Sequence, residues 1–517
     1  MGTSAPDSAS ASFEDLIDLA GERLGAAAIA CNDDFFAEKE NLVRAAPAVW
    51  KEHEYTDRGK WMDGWETRRR RPPELGPDVY DWCIVRLGVP GIPRGVVVDT
   101  AFFRGNYPAS AAIEACFAPQ HASPDELARA EWVELLPRSS LAGDSKNRFV
   151  VEREVYASHL RLRIYPDGGV ARLRVYGDVL PDLARLGGLG GELDLAAIEN
   201  GAFAMGCSDM FFGVRHNLLM PGRARNMSDG WETRRRRGPG HDWVVVRLVG
   251  EGVVRRLELD TNWFKGNAPG TALVEGCHAP GATLEQLTGA GVEWRTLVGE
   301  TAMQPHARHF LEAQAAGAIT HVRLSVFPDG GVSRLRVWGA LTDDGRRGCG
   351  LARLNALPDG VARRELQHCC AAARWVEAVI AARPFASSTA LRARAEEAFA
   401  ALGPDDWHEA FRAHPRIGES KAARAQSAAE ARWSSGEQAG AQSADAAARA
   451  ALIDVNREYE ARFGHIYIVC ATGKSAEELL ALARARLGND AETELRVAAG
   501  ELEKIMQLRL DKLLRGV

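Results

Sequence analysis

The sequence predicts a multidomain protein, with two tandem all-β domains of the jelly-roll or β-sandwich type followed by an all-α domain. Two observations lead to this expectation. The string DGWETRRRR at residues 63–71 recurs unchanged at residues 229–237, inside a much longer repeat. After residue 342, short runs rich in Val, Ile and Leu give way to Ala, Arg, Glu and Leu at helical spacing.

Each repeated unit has the pattern of an antiparallel β-sandwich. Short apolar runs such as WCIVRL and GVVVDT are bounded by Gly, Pro and Asp, as strands are. Leu162 and Ile164 alternate with Arg161 and Arg163, which predicts one buried face and one solvent face. YPDGGVARLRVYG in the first unit matches FPDGGVSRLRVWG in the second, and its Asp-Gly-Gly predicts a hairpin turn.

The remaining chain is expected to be helical. We predict one helix over residues 363–382, with Cys369 and Cys370 buried in it, and a second helix capped by Ser388 or Thr389. Ser475 and Glu478 have the spacing of a capping box, and the last helix is long and amphipathic. The predicted parts of the chain are a tail and lead-in at 1–24, β-domains at 25–180 and 181–342, a linker at 343–350 and the helical domain at 351–517.

Composition excludes several classes of function. The 517-residue chain is 46% hydrophobic and has a net charge of −6, which argues against nucleic-acid binding, and no apolar run predicts a membrane span. The N-terminus lacks the pattern of a secretory signal. Nine cysteines without a C-x-x-C pair indicate reduced thiols and a cytoplasmic protein, and a homo-oligomer is compatible with the sequence.

The repeated string carries groups suited to a small polar acid. Asp63 and Glu66 can exchange protons, and Arg68 can clamp a carboxylate. The second copy offers the corresponding candidates Asp229, Glu232 and Arg234. Asn106 and its counterpart Asn267, in FRGNYP and FKGNAP, fit either a ligand contact or a simple turn.

Histidines give a weaker indication of a metal. His306 and His309 have ligand-like spacing, but their expected counterparts in the first unit are Ser145 and Arg148, so such a site would not be duplicated. No residue is therefore assigned as a metal ligand. A divalent metal in the β-domains is left open.

The repeated motifs DGWETRRRR, DTAFFRGNYP and YPDGGVARLRVYG together resemble those of allantoicase, over nearly all of residues 20–342. The resemblance implies two jelly-roll domains and hydrolysis of allantoate to ureidoglycolate and urea. Such a reaction needs a cation for the substrate carboxylate and an acid for the departing urea. The alternative from another class is that the β-repeats are a non-catalytic tandem that binds a small ligand.

The helical region contains a second set of candidate residues. His414 precedes Pro415 at a helix end, where the helix dipole is expected to favour the protonated ring. Glu437 lies in the glycine-punctuated string WSSGEQAG, and residues 462–487 begin with an apolar, β-like interruption. A helical bundle that only binds a protein partner is the alternative.

The strings AHPRIGES, SSGEQAG, RFGHIYIVCATGKSAEELL and TELRVAAGELEKIMQLRL resemble 2-oxo-4-hydroxy-4-carboxy-5-ureidoimidazoline (OHCU) decarboxylase, over essentially all of residues 351–517. The resemblance implies an all-α fold without a cofactor and conversion of OHCU to (S)-allantoin. It makes His414 the acid/base residue, Glu437 its partner and Arg509 the substrate cation. His465 stands where an apolar residue is expected. The implied pocket residues are Pro415, Ser434, Ser435, Gly436, Gln438, His465, Ile466, Tyr467, Ile468 and Val469.

Overall fold

The computed structural model describes residues 13–516 with several gaps and divides the chain into two compact units, Met1–Leu357 and Pro358–Val517. Only the helical backbone is described for residues 446–449. Within the described part of the chain, no helix has the length and apolar character needed to cross a membrane. The gaps are residues 75, 182, 184, 185, 187–191, 415, 417–432 and 434–445.

The first unit contains both β-repeats, and each is a two-layered β-sandwich. The strands of the first repeat are β1 (Ile17–Asp18), β2 (Ala27–Cys31), β3 (Tyr55–Thr56), β4 (Gly59–Lys60), β5 (Trp65–Glu66), β6 (Asp81–Asp99), β7 (Ser110–Cys116), β8 (Val133–Ser140), β9 (Lys146–Val150), β10 (Ala157–Tyr165), β11 (Gly169–Val170) and β12 (Arg172–Val179), with helix α1 (Pro124–Ala128). The long β6 serves both layers: its first half pairs with β2 and β10, and its second half pairs with β12 and β9.

The second repeat has the same strand order and lacks only a counterpart of the β3–β4 hairpin among its described residues. Its elements are β13 (Leu193–Asp194), β14 (Phe203–Cys207), β15 (Trp231–Glu232), β16 (Asp242–Asp260), β17 (Thr271–Cys277), α2 (Leu284–Thr288), β18 (Arg295–Ala302), β19 (Arg308–Glu312), β20 (Ala318–Phe327), β21 (Gly331–Val332) and β22 (Arg334–Leu341).

The predicted burial pattern is confirmed, whereas the predicted turn is wrong. Leu162 and Ile164 are buried, and the intervening arginines are half-buried. The Asp-Gly-Gly segment after Pro166 does not close a hairpin, because β10 and β12 both pair with β6 and not with each other. The segment instead leads into β11, which pairs with β5 of the repeated string. WCIVRL and GVVVDT are likewise parts of the single strand β6.

The borders of the first unit differ from the expected ones. Residues 343–350, expected as a linker, begin helix α3 (Asp343–Ala356), whose N-cap is the hydroxyl of Thr342. Cys349 of this helix packs against Val249, so the helix belongs to the sandwich unit. Residues of the expected lead-in also belong to the fold, because Ile17 and Asp18 form strand β1 on β12.

The second unit is helical, as expected. Its described helices are α4 (Asp359–Gln367), α5 (Ala373–Ile380), α6 (Ser388–Ala400), α7 (Pro404–Ala413), α8 (Ala446–Phe463), α9 (Ala476–Arg486) and α10 (Ala491–Arg515). The capping box of Ser475 and Glu478 is present at the start of α9.

Three details of the helical prediction are wrong. The helix expected over residues 363–382 is broken into α4 and α5, and Cys369 and Cys370 are buried in the connection between them. The cap of α6 is Ser387, whose hydroxyl accepts from the amide of Ala390. The apolar segment that follows Phe463 forms no strand in the described residues, because it finds no strand partner.

We predict that Gly64→Ala destabilises the sandwich by about 1–3 kcal/mol, as overpacking does. A Cβ at position 64 would lie 2.6 Å from the carbonyl oxygen of Val170 and 2.8 Å from the Cα of Ala171, and backbone cannot give way cheaply. Urea unfolding followed by tryptophan fluorescence measures the change. Gly266→Ala is the control, since a Cβ there meets nothing within 4 Å; equal stability of the two variants would contradict the prediction.

Candidate functional sites

The repeated string is held in place by the Asp-Gly-Gly segment of its own repeat. Trp65 and Glu66 pair with Val170 and Gly169, and Trp231 and Glu232 pair with the equivalent β21. The Trp65 ring is fully buried, and its indole nitrogen donates to the carbonyl of Asp33 at 2.8 Å. Two motifs that are distant in the sequence therefore meet at one end of each sandwich.

Asp63 and Asp229 are buried members of ion pairs. Asp63 Oδ2 accepts from Arg172 Nη2 at 2.9 Å and from the amide of Val49, also at 2.9 Å. Asp229 Oδ2 lies 3.3 Å from Arg334 Nη2 and accepts from the amide of Arg225 at 3.0 Å. These contacts give the two aspartates the surroundings of structural groups.

Glu66 and Glu232 have different surroundings, because each meets an asparagine side chain. Asn106 Nδ2 donates to Glu66 Oε1 at 2.7 Å, and Asn267 donates to Glu232 in the same way. Burial raises the pKa of Glu66, while the bond from Asn106 and the charge of Arg69 oppose that rise. A carboxyl of raised pKa beside an amide can deliver a proton and hold a urea-like group.

The arginine run does not form a strand, so its side chains do not alternate across a sheet. Arg68, a candidate substrate clamp, is exposed and stacks on the Phe35 ring at 4.3 Å. Its counterpart Arg234 stacks on Phe211 at 4.1 Å. Both guanidinium groups therefore lie at the rim of their repeat.

Arg69 is a further candidate site residue, which the sequence analysis does not identify. Its Nη1 lies 2.9 Å from Asp167 Oδ1, and its Nη2 donates to the carbonyl of Gly105 at 2.8 Å, next to Asn106. The buried Asp167 also accepts from the amide of Arg70. The aspartate of the repeated Pro-Asp-Gly-Gly is the sequence signal for this contact, although the motif by itself predicts only a turn.

The histidines with ligand-like spacing hold a loop. His306 Nδ1 accepts from the amide of Trp263, as Asp144 does from Phe102 in the first repeat. His309 Nε2 accepts from the amide of Gln304. The structure therefore gives His306 the role of Asp144 and not of Ser145. Over the described residues, no group of three or more potential ligands could hold a metal.

In the helical unit, His414 lies at the end of α7 and close to Arg509 of α10. Burial, together with the positive charge of Arg509, lowers the pKa of His414 to about 3. Desolvation and the charge of Arg509 thus both oppose the protonated form that the helix dipole favours. Arg509 is buried, and its Nη1 donates to the carbonyl of His368 at 3.1 Å.

The segment that follows Phe463 packs beside α7. The His465 ring lies 5.1 Å from the Phe411 ring and 5.6 Å from that of His408, which explains how it replaces an apolar residue. Arg486 Nη1 fixes the segment by donating to the carbonyl of Ile468 at 2.8 Å. The other expected pocket residues of this segment are Ile466, which is half-buried, and Tyr467 and Val469, which are buried.

The remaining sequence candidates lie outside the described residues. They are Pro415, Ser434, Ser435, Gly436, Glu437 and Gln438. Their roles stay as predictions.

Comparisons with known proteins cover both units. The allantoicase-repeat family model matches residues 17–180 and 193–342, and the OHCU decarboxylase model matches residues 355–511. A probable allantoicase of Burkholderia mallei is 48% identical over 329 residues, which are 63% of this chain and 94% of the relative. The allantoicase of Dictyostelium discoideum is 44% identical over 331 residues, 63% of this chain and 87% of the relative.

A solved structure supports the same fold for the sandwich unit. The crystal structure of allantoicase from Saccharomyces cerevisiae is 35% identical, with a TM-score of 0.52, and the match covers 64% of this chain and 96% of the yeast chain. This agrees with the tandem sandwiches described above.

The two family matches define a fusion of a hydrolase and a carboxy-lyase. The chain belongs to the allantoicase family and carries an OHCU decarboxylase domain at its C-terminal end. It is thus a bifunctional enzyme of allantoin degradation in purine metabolism. The alternative of a non-catalytic binding tandem is not favoured, because the repeats match allantoicases over their whole length.

We predict that Arg509→Gln raises the pKa of His414, because it removes the positive charge that opposes ring protonation. Histidine NMR on the full chain, with the signal assigned from a His414→Gln variant, measures the change. Arg484→Gln, at an exposed position of α9, is the charge-matched control and should leave the titration unaltered. A wild-type His414 that titrates near 6.5, or no change in Arg509→Gln, would contradict this electrostatic account.

Proposed function

We propose that the sandwich unit hydrolyses allantoate to (S)-ureidoglycolate and urea, and that the helical unit decarboxylates OHCU to (S)-allantoin. The hydrolytic assignment is supported above all by the Glu66–Asn106 pair, which two separately repeated motifs build. The lyase assignment is supported by the proximity of His414 and Arg509. A separate ring-opening enzyme, an allantoinase, must act between the two steps.

Hydrolysis of allantoate breaks the bond between the central carbon and one ureido nitrogen. In the proposed reaction the glutamic acid of the pair protonates that nitrogen, and urea leaves. The oxygen of water bonds to the carbon, and the carboxylate takes the proton that water gives up. The asparagine amide orients a ureido group, and an arginine holds the substrate carboxylate.

Decarboxylation of OHCU needs no redox change. The C–C bond to the carboxylate breaks, carbon dioxide leaves, and the conjugated ring accepts the electron pair until a proton reaches the carbon. We propose that Arg509 binds the substrate anion and that His414 delivers the proton to one face. Desolvation and the charge of Arg509 both lower the pKa of His414, and an arriving anion offsets the charge of Arg509 and so favours uptake of a proton by the ring.

The other pocket roles follow the family resemblance. Glu437 is proposed as the acidic partner of His414. Pro415, the turn of residues 434–438 and the segment of residues 465–469 are proposed to line the pocket. The proposed partners are thus small molecules, and no cofactor is proposed for this domain.

We also propose that the protein works in the cytoplasm. All nine cysteines are free thiols, and most are buried, as expected where disulfides do not persist. The fusion of the two activities is proposed to secure their joint expression, since another enzyme's reaction separates them. Self-association of the chain is kept as a proposal that sedimentation can test.

We predict that His414→Asn lowers decarboxylation by about 10²- to 10⁴-fold, the usual contribution of an acid–base group. Urea release from allantoate should continue at the wild-type rate, because His414 belongs to the other unit. The two activities are measured on one preparation, by the absorbance of OHCU and by coupled detection of urea. Loss of both activities would indicate misfolding, and retention of decarboxylation would refute the role of His414.

We predict that dialysis against EDTA leaves decarboxylation intact, because no cofactor is proposed for the helical unit, whereas its effect on urea release decides the question of a divalent metal in the β-domains. Urea release and decarboxylation are measured before dialysis, after it and after addition of Mg²⁺, Mn²⁺ or Zn²⁺. A fall in urea release that a divalent ion restores would show that the hydrolytic centre includes a metal. Decarboxylation of the same sample is the internal control.

A further inference from the structure

The two copies of the repeated string differ in what lies beside them. The amides of Val49 and Arg225 make the same hydrogen bond to the aspartate of their copy and so mark equivalent positions. Three residues separate Arg225 from Asp229, whereas Val49 is followed by residues 50–62 before Asp63. Residues 50–59 therefore have no counterpart in the second repeat.

The additional residues build the β3–β4 hairpin, which packs against the segment that holds Glu66. Arg58 Nη1 donates to the carbonyl of Phe35 at 2.9 Å, and its guanidinium lies over the Phe35 ring at 5.1 Å. The next residue, Phe36, donates its amide to the carbonyl of Glu66 at 3.1 Å. Trp50, the first of the additional residues, has its ring 6.0 Å from the ring of Phe102.

The second repeat leaves the corresponding surface open. Phe211 and Phe212, the counterparts of Phe35 and Phe36, are each 59% exposed. The amide of Phe212 still donates to the carbonyl of Glu232, so the backbone frame is retained. The second copy keeps the carboxyl–amide pair of Glu232 and Asn267 but has no hairpin beside it.

The two copies also differ in how the second arginine of the string is held. Arg69 is held on Asp167 and on the carbonyl of Gly105, beside Glu66, while 45% of its side chain stays exposed. Its counterpart Arg235 is exposed and makes no hydrogen bond or ion pair within the described part of the chain. A fixed guanidinium binds a carboxylate at a lower entropic cost than a mobile one.

The second copy has a structural task instead. Arg23 of the first repeat forms an ion pair with Asp229 and donates to Asn217 Oδ1 at 3.2 Å. Arg215 of the second repeat forms an ion pair with Asp15 of the first repeat. Asp229 thus belongs to the joint between the two sandwiches.

We propose that allantoate is hydrolysed only at the first copy, by Glu66, Asn106 and Arg69 beside the hairpin of residues 50–59, and that the second copy is scaffold. This assignment rests on the hydrolysis proposed above. The hairpin packs on Phe35, next to the Phe36 amide that binds the carbonyl of Glu66, and exclusion of water there would strengthen proton transfer and charge pairing. Arg69 supplies the cation that the substrate carboxylate requires.

The duplication provides a matched pair of variants, Glu66→Gln and Glu232→Gln. We expect Glu66→Gln to lower kcat for urea release by about 10²-fold or more, and Glu232→Gln to cost less than about threefold. Larger loss in Glu232→Gln, or equal loss in both, would overturn the assignment to the first copy. Wild-type rates in both variants would instead refute the carboxyl–amide centre itself. Thermal unfolding of each variant verifies that the sandwich is folded.

The cation is tested in the same paired manner with Arg69→Gln and Arg235→Gln. Arg69→Gln should raise the KM for allantoate by about tenfold or more, since it removes the cation proposed to bind the substrate carboxylate. Arg235→Gln should leave the KM within about twofold of the wild-type value. The reverse order of effects would overturn the proposal.

The role of the hairpin is tested by deleting residues 50–59. The deletion joins Val49 to Lys60, as Arg225 is joined to Asn226 in the second repeat. We expect kcat/KM for allantoate to fall by about 10²-fold, because loss of a structure that positions the substrate has effects of this size. Arg58→Ala loosens the hairpin without shortening the chain, and it should lower kcat/KM in the same direction by about three- to tenfold. Wild-type kcat/KM in both folded variants would overturn a role for the hairpin.

Discussion

The pairing of β5 with β11 is the contact on which the sandwich site depends. It joins Glu66 to Gly169, and the amide of Gly169 also donates to the carbonyl of Asn106 at 2.7 Å. The dipeptide Gly169–Val170 thus fixes the backbone of both Glu66 and Asn106. Position 169 must be glycine, because a Cβ there would lie 2.0 Å from the Phe103 ring. The second repeat reproduces this arrangement through Gly331 and Asn267.

The two carboxylates of the string have different fates although they stand three residues apart. Asp63 is sealed against Arg172, and such a buried pair is costly to break because the remaining charge has no partner. Glu66 faces a neutral amide, which leaves its carboxyl free to exchange a proton. The partner and the burial of each carboxylate, and not its residue type, therefore distinguish the structural Asp63 from Glu66, to which the chemistry is assigned.

This difference shows what the sequence could and could not predict. The tandem sandwiches, the alternating faces of β10 and the capping box at Ser475 follow from local pattern, and the structure has them. The roles of Asp63 and Arg69 depend on Arg172 and Asp167, about a hundred residues away. No spacing rule links such partners, so sequence patterns do not distinguish the structural role of Asp63 from the proposed chemical role of Glu66.

In the helical unit, too, a long-range contact accompanies a feature that local pattern does not predict, namely the break between α4 and α5. Apolar spacing continues through Cys369 and Cys370, so a single helix was predicted. In the structure the chain leaves the helix at His368, and the carbonyl of this residue accepts from Arg509. In an unbroken helix that carbonyl would bond within the helix. The break therefore supplies an anchor for the guanidinium that lies near His414.

Retention of an identical string in both repeats does not require two active sites. Trp231 fills the core, Asp229 pairs with Arg334 and joins the repeats through Arg23, and Glu232 carries the β15–β21 ladder. The contacts of Trp231 and Asp229 stabilise the second sandwich and its docking, whereas Glu232 contributes to the ladder through its backbone. The chemistry depends in addition on what surrounds the string, namely the hairpin and the fixed arginine, and only the first repeat has both within the described residues. A duplicated fold can therefore preserve its motif for stability while one copy alone keeps the neighbours that catalysis needs.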